Sequence, residues 1–310
     1  MFSVIIPNYN GLQLLKKNLG QIVSVLKSEE ITDIIIVDDA SSDDSFTYIK
    51  ENYPAINLIK NTQNQGFGVS CNKGAAVAKE SILLFLNTDM LPQRINRTEI
   101  QRHFKDKNLF ALSPKIERKD KSGTIINESL TTGYFKGGWF SSEVNPNYSN
   151  SLLESGFPVL WACGGACFID KKKFDQIGGF DPIYRPFYFE DLDLSYRAWK
   201  QNWNVLYTSK SSFYHQHQGT IGSLFTKQQI DRIHLSHEYL FMWKNLTDLS
   251  FLISHSVTVL IKILTIQVRD IRAILRAIKH FPDIIKYRCS IQSKRTDDSV
   301  LSQWSSFYNK

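Results

Sequence analysis

The chain has 310 residues, of which 42% are hydrophobic, 13% aromatic and 22% charged, a composition typical of a folded globular protein and unlike disordered, collagen-like or coiled-coil chains. Its four cysteines are too few for a disulfide-stabilised fold, which favours a reducing cytoplasm. Its formal charge of +7 is concentrated at one end, because residues 241–310 carry 11 Lys and Arg against 5 Asp and Glu, and such a basic helical tail does not predict nucleic-acid binding.

Short apolar runs alternate with amphipathic segments over the first ninety residues. The first run directly follows Met1 without a basic segment and is broken at Pro7, so we expect neither a signal peptide nor a membrane span. The runs are continuous, as in strands that helices cover on both faces. The pattern therefore predicts an α/β fold with a parallel sheet, whose strands and helices cover residues 2–6, 12–26, 33–37, 43–50, 56–59, 66–79 and 81–86.

The segments that follow the four predicted strands are rich in Asn, Asp, Gly and Ser. They read PNYNG (7–11), DDASSD (38–43), NTQNQG (61–66) and NTD (87–89). Each alone is typical of turns and helix caps, but the carboxyl ends of parallel strands meet at one edge of a sheet, where ligands bind. The motifs G-x-G-x-x-G and G-x-x-x-x-G-K-[ST] follow none of these strands, which argues against dinucleotide and P-loop sites.

The carboxylates in these segments suit two tasks. Asp38 and Asp39 can accept hydrogen bonds from a base N–H and from ribose hydroxyls. Asp89 can hold Mg²⁺ or Mn²⁺ on a diphosphate, because water and phosphate supply most of the other ligands of these ions. Neutral Asn87 would orient a ligand instead of binding the ion, and Lys73 would either contact a phosphate or face solvent.

Glu190 and Asp191 open a predicted helix directly behind the aromatic run FYF (187–189). They are either a catalytic pair in an apolar pocket or carboxylates that favour the positive end of the helix dipole. The pair Gly164-Gly165 allows a ligand to approach the backbone closely, and Trp161 is either an acceptor wall or core. Between about residues 115 and 160, the sequence TTGYFKGGWFSSEVNPNYSN (131–150), which is rich in Gly, Ser, Thr and aromatic residues, predicts a mobile acceptor loop.

Two closely spaced cysteines and two closely spaced histidines raise the question of a transition-metal site. Cys163 and Cys167 lack a second pair with zinc-finger spacing and are expected to be buried thiols. His215 and His217 lie on one face of an extended segment, so either could reach a metal or make an ordinary hydrogen bond.

The tail carries an apolar stripe with helical spacing from Leu249 to Ile278, with Arg and Lys largely off the stripe. We expect one basic amphipathic helix that ends near Pro282 and is interrupted too often by polar residues to span a bilayer. The stripe could lie on an anionic membrane, pack on the protein's own core or contact a second copy in a homo-oligomer, and periodicity alone does not separate these alternatives.

Six segments in this order resemble the inverting family-2 glycosyltransferases: VIIPNYN, VDDASSDDS, NQGFGVSCNKG, LFLNTDM, GGACFIDKKKFDQIGGFD and FYFEDLDLSYRAWKQNW. The resemblance covers roughly residues 2–245 and is greatest to bacterial enzymes that extend cell-surface polysaccharides, including rhamnosyltransferase-like members. It implies the glycosyltransferase-A fold, a Rossmann-like, mostly parallel central sheet flanked by helices, here with a C-terminal amphipathic helical extension. The catalytic domain would be residues 1–245, with a nucleotide-binding half (1–110) and an acceptor-binding half (111–245), followed by the tail 246–310.

The resemblance also implies roles for individual residues. Asp191 would be the catalytic base, with Glu190 beside it, and Asp89 would contact the metal together with His215 or His217. Asn87 stands where the family's D-x-D motif has its first carboxylate, which leaves fewer carboxylates for the ion. The expected nucleotide-sugar site is Pro7, Asn8, Tyr9, Asp38, Asp39, Gly66, Lys73, Asn87 and Thr88, and the expected acceptor site is Trp161, Gly164, Gly165 and Phe189.

The predicted activity is metal-assisted, inverting transfer of a hexosyl or deoxyhexosyl group from a nucleoside-diphosphate sugar to a glycan or lipid-linked glycan acceptor. We expect Mg²⁺ or Mn²⁺ as cofactor and a cytoplasmic protein that is peripheral on the inner face of the cell membrane. The alternatives are a sugar nucleotidyltransferase, which should show a glycine-rich basic loop after the first strand, and a non-catalytic sugar-binding subunit. The donor sugar, the base, the acceptor and the linkage cannot be predicted from these motifs.

Overall fold

A computed structural model describes residues 1–144, 156–217 and 221–307. Within these residues the strands are β1 Phe2–Asn8, β2 Asp33–Asp38, β3 Asn57–Lys60, β4 Ile82–Leu86, β5 Met90–Arg94, β6 Leu109–Lys119, β7 Ile125–Asn127, β8 Thr131–Lys136, β9 Trp139–Val144, β10 Ala166–Asp170 and β11 Asn204–His215. The helices are α1 Leu12–Ser28, α2 Ser45–Asn52, α3 Phe67–Val77, α4 Arg97–His103, α5 Lys171–Gln176, α6 Glu190–Lys200, α7 Ile221–Leu224, α8 Lys227–Asn245, α9 Leu249–Leu264, α10 Val268–Ala277, α11 Phe281–Ser290 and α12 Asp297–Leu301. All seven elements predicted for the first ninety residues are present, each with its ends within two residues of the prediction.

One sheet organises the fold, with the strand order β3-β2-β1-β4-β10-β6-β11-β5 and β7 beside β6. The first four strands in this order are parallel, as predicted. Beyond β4 the sheet is mixed, because β10 runs antiparallel to both of its neighbours while β6 and β11 are parallel to each other. The antiparallel β10 begins at the edge where β4 ends, which brings the segment before it to the carboxyl ends of the parallel strands.

Side chains of the central strands alternate between two cores. Ile5 of β1 joins the core beneath α3, whereas Val4 and Ile6 face the core beneath α1. Leu15 and Leu19 of α1 cover the second core. The continuous apolar runs in the sequence therefore belong to strands that are covered on both faces.

Gly74 sets the distance between α3 and β1. A β-carbon at this position would lie 2.5 Å from Cγ2 of buried Ile5. We expect Gly74→Ala to lower the free energy of unfolding by about 1–3 kcal/mol, because overpacking outweighs the better helix propensity of alanine. Urea denaturation measures this, with Ala76→Ser on the exposed side of α3 as a control that should change stability by less than about 0.5 kcal/mol. An unchanged or higher stability of Gly74→Ala would contradict this packing.

The C-terminal tail differs from the predicted single helix. The helical run breaks at Ile266, which has a left-handed φ of 52°, and Pro282 lies in the first turn of α11 instead of ending a helix. Ile274, Ile284 and Trp304 are buried in the core beneath α3. Among the described residues no helix is both long and apolar enough to cross a membrane.

Asp297 fixes the tail to the rest of the fold. Its buried carboxylate accepts hydrogen bonds from Tyr196 at 2.8 Å, Lys200 at 2.7 Å and the backbone N–H of Thr247 at 2.6 Å. These contacts join the end of α8, the middle of α6 and the start of α12. The tail is therefore part of the packed structure.

The segment predicted as a mobile acceptor loop is largely a β-hairpin. Strands β8 and β9 pair in register from Thr131–Val144 to Lys136–Trp139. The remaining predicted loop residues, 145–150, lie outside the described residues. The hairpin packs against the tail, where Phe135 and Phe251 stack at 4.2 Å between ring centroids.

Candidate functional site

The polar ends of β1 and β2 are tied to each other. Asp38 is fully buried and accepts hydrogen bonds from the Asn8 amide at 3.0 Å and from the Ser41 N–H at 3.0 Å. The Asp39 N–H donates to the Asn8 carbonyl oxygen at 2.7 Å. Pro7 and Tyr9 on either side of Asn8 are half-buried. Asp38 thus holds the loop after β1, and Tyr9 lies on the accessible side of this edge.

Asp39 organises the next loop. Its carboxylate accepts hydrogen bonds from the Asn61 amide at 2.7 Å, the Gln65 N–H at 2.8 Å and the Gly66 N–H at 2.7 Å. Lys73 donates to the Asn61 side chain at 2.8 Å while most of its side chain remains exposed. The predicted nucleotide-site residues Asp39, Gly66 and Lys73 therefore form one connected group at the start of α3.

Gly66 and Gly68 allow the start of α3 to approach the segment that precedes α6. Gly66 has a left-handed φ of 81°, and a β-carbon there would lie 3.2 Å from the Pro186 carbonyl oxygen. A β-carbon at Gly68 would lie 3.9 Å from Cβ of Glu190. The loop predicted to bind the nucleotide and the acidic start of α6 are thus in close contact.

The carboxylate of Asp191 faces the glycine pair that precedes β10. Its Oδ2 accepts a hydrogen bond from the Gly164 N–H at 3.0 Å, and its Oδ1 accepts one from the Leu192 N–H at 2.8 Å. Burial raises the pKa of Asp191, and these two hydrogen bonds partly oppose the increase. A carboxylate that is costly to keep charged is a stronger proton acceptor than a solvated one.

Glu190 is placed differently from its neighbour. Its Oε2 atom is buried and has no hydrogen-bond partner within the described part of the chain. Burial and the adjacent charge of Asp191 raise the pKa of Glu190 well above its ordinary value. An orphaned carboxyl oxygen beside a second carboxyl group is typical of a site that a ligand completes.

Asp193, the third carboxylate at the start of α6, has a structural role. It is fully buried and binds Arg197 at 2.7 Å, Lys244 at 2.8 Å and the Asn245 amide at 2.8 Å. Burial opposes ionisation, but Arg197 and Lys244 lower the pKa of Asp193 to about 2. Asp193 is therefore a structural carboxylate that anchors α8 to α6.

In the aromatic run before α6, the ring of Phe189 is buried and the ring of Tyr188 is exposed. Phe189 is buried against Phe241 and His234, so its ring lies in the core next to the carboxylates. Tyr188 is 39% exposed, and its partial burial together with the charge of Glu190 raises its pKa. Both residues have left-handed φ values, 71° and 77°, and this turn directs the two rings apart. Sequence reasoning chose Phe189, whereas the accessible ring is that of Tyr188.

The glycine pair also joins the acidic group to the end of β4. The Asn87 N–H donates to the Gly165 carbonyl oxygen at 2.8 Å, and a β-carbon at Gly165 would lie 3.3 Å from the Asn87 side-chain nitrogen. The Thr88 carbonyl accepts a hydrogen bond at 2.8 Å from Asn18, a buried residue of α1 that sequence reasoning missed. Trp161 is half-buried, and its backbone pairs with the Thr131 hydroxyl.

Asp89 meets His215 at the far side of this edge. Asp89 Oδ2 lies 3.3 Å from His215 Nε2, while His215 Nδ1 lies 2.7 Å from Glu128. Glu128 also binds His217 Nε2 at 2.9 Å, and the two imidazole rings stack at 3.8 Å. Sequence reasoning missed Glu128, because no motif surrounds it and only the fold brings it to the histidines.

These groups have mutually dependent charges. Burial alone would lower the pKa of His215, but hydrogen bonds to Asp89 and Glu128 raise it to about 9. Burial acts against ionisation of Glu128 as well, but His215 and His217 lower its pKa to about 2. Without a metal ion, His215 is therefore a cation held between two carboxylates at neutral pH.

The stability of the metal-free protein should depend on this cation. The His215 contribution is fully present below the ordinary histidine pKa near 6.5 and is lost as pH rises through about 9, because the folded-state pKa is the higher one. We expect the free energy of unfolding in chelator to fall over this window and the fall to be smaller in His215→Gln. His234→Gln, which alters a half-exposed histidine, is the control. Parallel pH profiles of the wild type and His215→Gln would contradict the assignment.

The Asp89 and His215 donor atoms fit a divalent ion. Two ligands of an octahedral ion, each about 2.1 Å from it, stand about 3 Å apart, close to the observed separation. A metal-binding histidine usually donates its other N–H to a carboxylate, as His215 does to Glu128. A second arrangement uses the cluster Glu128, His215 and His217, whose donor atoms lie within 4.8 Å of one another. In contrast, burial and Asp191 raise the pKa of the Cys163 thiol to about 12, so this cysteine is not a suitable ligand.

Comparisons with known proteins identify the family of this chain. The glycosyl transferase family 2 profile matches residues 3–178. Human polypeptide N-acetylgalactosaminyltransferase 16 is 26% identical over 212 residues, which are 64% of this chain and 37% of the human protein. N-acetylglucosaminyl-diphospho-decaprenol L-rhamnosyltransferase of Mycobacterium tuberculosis is 24% identical over 220 residues, 64% of this chain and 70% of the relative. The chain thus spans little more than a third of the first relative's length.

Solved structures show the same fold. The crystal structure of GalNAc-T7 with UDP, GalNAc and Mn²⁺ superposes with a TM-score of 0.59 at 15% identity, over 79% of this chain and 48% of that one. The mannosyltransferase PcManGT from Pyrobaculum calidifontis, in complex with GDP-Man and Mn²⁺, gives a TM-score of 0.52 at 13% identity, over 100% of this chain and 80% of that one. The chain therefore has the glycosyltransferase-A fold and belongs to glycosyl transferase family 2.

Proposed function

We propose that the protein transfers a hexosyl or deoxyhexosyl group from a nucleoside-diphosphate sugar to a hydroxyl of a glycan or lipid-linked glycan, with inversion at the anomeric carbon, in cell-surface polysaccharide synthesis. The observation that carries this proposal is the contact chain that joins Asp39, Gly66, Asp191, Asn87 and Asp89 along one sheet edge. The name of the mycobacterial relative, a rhamnosyltransferase with a lipid-linked acceptor, supports the choice of substrates.

Asp191 acts as the general base in this proposal. Each of its oxygens accepts one backbone hydrogen bond, and a carboxylate has capacity to accept further bonds. It removes the proton of the acceptor hydroxyl while the acceptor oxygen forms a bond to the anomeric carbon. The bond to the diphosphate breaks with its electron pair on the leaving oxygen. One displacement without an enzyme nucleophile inverts the anomeric configuration.

The donor occupies the loops after the parallel strands. Tyr9 and the neighbouring backbone of Pro7 and Asn8 would contact the base, with Asp38 and Asp39 holding this pocket in shape. Lys73 lies in the second turn of α3 with an exposed side chain and would approach a phosphate. Titles of the structural neighbours name UDP and GDP-Man, which supports a nucleoside diphosphate as the ligand of these loops.

Asp89 and His215 would hold the divalent ion, with Glu128 orienting the imidazole. Mn²⁺ or Mg²⁺, when bound, supplies positive charge that stabilises the departing diphosphate. The imidazole donor favours Mn²⁺, since Mg²⁺ prefers oxygen ligands. Asn87 keeps its side chain next to Gly165 and would hydrogen-bond the donor.

The acceptor would enter from the side of the glycine pair. The Gly164 N–H donates to Asp191, and half-buried Trp161 hydrogen-bonds to Thr131 of the hairpin strand β8. Tyr188 adds an exposed ring on which a sugar can stack. We assign residues 1–245 to the catalytic domain, with donor and acceptor halves that divide near residue 110, and we place the protein on the cytoplasmic face of the cell membrane.

A panel of nucleotide sugars tests the proposal. We expect release of a nucleoside diphosphate that requires the enzyme, an acceptor and Mn²⁺ or Mg²⁺, with nucleoside-diphosphate rhamnose and a lipid-linked N-acetylglucosamine as the first pair to examine. Release of pyrophosphate from a nucleoside triphosphate would instead indicate a nucleotidyltransferase. Binding of a sugar without release of any nucleotide would indicate a non-catalytic subunit.

A further inference from the structure

The tail helices α9, α10 and α11 leave a large apolar face uncovered. We call this the docking face and define it by the exposed side chains of Ile253, Val257, Leu260, Leu264, Ile266 and Phe281. Leu264 and Ile266 are each 71% exposed, and residues 263–269 form a continuous exposed run at the corner between α9 and α10. An apolar patch of this kind on a soluble domain marks an interaction surface.

The helices that carry the docking face also carry unpaired cations. Arg269, Arg272, Arg276 and Lys279 of the α10 region and Lys286 of α11 are exposed, and within the described residues none of them forms an ion pair. Lys262 does not add to this charge, because it binds Asp270 at 2.5 Å. The exposed charges from 249 to 290 are thus five cations and the single acid Asp283. This surface is complementary to an anionic partner.

The apolar face continues into a groove between α9 and α11. The groove has a volume of about 510 Å³, and its lining includes Trp243, Leu252, Val259 and Ile284. Most of the side chains that line the groove are apolar. An interface between two copies would instead be depleted of charge at its centre. The three arginines of α10 do not fit such an interface.

We propose that the docking face binds an anionic phospholipid bilayer, with the α9–α10 corner inserted at the level of the acyl chains and the cations of α10 and α11 at the headgroups. Long Arg and Lys side chains can keep their charges at the headgroups while their stems cover apolar surface. An interfacial helix binds through its apolar area together with its attraction to anionic lipids. This proposal deepens the proposed function, on which it rests for the lipid-linked acceptor.

Co-sedimentation of the full chain with vesicles tests the proposal. We expect binding to phosphatidylcholine mixed with phosphatidylglycerol and weak binding to phosphatidylcholine alone. The triple variant Arg269→Ser, Arg272→Ser, Arg276→Ser should bind the anionic vesicles about 100-fold more weakly at low salt. The double variant Leu264→Ser, Ile266→Ser should bind about tenfold more weakly or worse.

Matched controls lie elsewhere on the surface. Lys50→Ser, Lys105→Ser, Lys107→Ser removes three exposed cations, and Val77→Ser, Ile125→Ser removes two exposed apolar side chains. Both control variants should bind vesicles as the wild type does. Equal binding of all four variants, or a wild-type dimer that the Leu264→Ser, Ile266→Ser pair dissociates in light scattering, would overturn the proposal.

Activity separates this proposal from the proposed function. Nucleoside-diphosphate release with a water-soluble acceptor should be the same in the tail variants and the wild type, which also shows that they are folded. Vesicle binding without any sugar transfer would contradict the proposed function and support the membrane proposal. Sugar transfer without vesicle binding would contradict the membrane proposal and support the proposed function.

Discussion

Asp191→Asn should lower kcat by about 10²–10⁴-fold while the Kd of the nucleotide sugar stays near its wild-type value. The asparagine has nearly the same size and still accepts a hydrogen bond, but it cannot take up the proton of the acceptor hydroxyl. Asp191 is not among the residues that we propose for donor binding, so the substitution should reduce turnover and leave donor affinity unchanged. Single-turnover transfer and calorimetric titration of the donor measure the two quantities separately.

The pH dependence gives a second readout of the same group. Because burial raises the pKa of Asp191, kcat/KM should fall as pH decreases through a value above the ordinary aspartate range. Asp44→Asn is a matched control, since Asp44 is exposed and its side chain makes no capping hydrogen bond. Full activity of Asp191→Asn together with an inactive Glu190→Gln would move the base to Glu190, whose buried oxygen lacks a partner within the described chain.

The neighbouring carboxylates of the sheet edge show why adjacent residues differ in role. Asp38 is the last residue of β2 and points to the loop after β1, whereas Asp39 points to the loop before α3. Their separate hydrogen bonds follow from the alternation of side chains along an extended chain. The sequence predicts both as polar groups at one edge but does not divide their tasks.

Most of the first half was predictable because its signals are local. Continuous apolar runs and helical spacing determine the strands and helices, and parallel pairing brings their polar ends together. Glu128 was not predictable, since it lies 87 residues from His215 in the chain. It follows β7 and reaches His215 because β7 pairs with β6 and β6 pairs with β11. The prediction of a single tail helix was wrong because the helix breaks at Ile266, where neither glycine nor proline marks the break in the sequence.

Asp89→Ala should abolish the metal dependence of donor binding. The Kd of the nucleoside diphosphate in Mn²⁺ should rise to its value in chelator, a change that we expect to be about 100-fold. Glu128→Gln should weaken metal affinity by about 10–100-fold, because it disturbs the orientation of His215 without removing Asp89. Titration calorimetry with Mn²⁺, with Mg²⁺ and with chelator measures each effect, and Glu117→Gln on the nearby strand β6 is the control.

The charge on His215 makes the comparison with chelator informative. In the metal-free protein, Asp89 and Glu128 keep this imidazole protonated to about pH 9, so it can attract a diphosphate by itself. Asp89→Ala removes one of the two carboxylates, and the pKa of His215 should fall. In chelator, donor affinity should decrease as pH rises, and in Asp89→Ala this decrease should occur at a lower pH than in the wild type. Equal wild-type affinity for the donor with and without Mn²⁺, at a pH where His215 is neutral, would rule out Asp89 as a metal ligand.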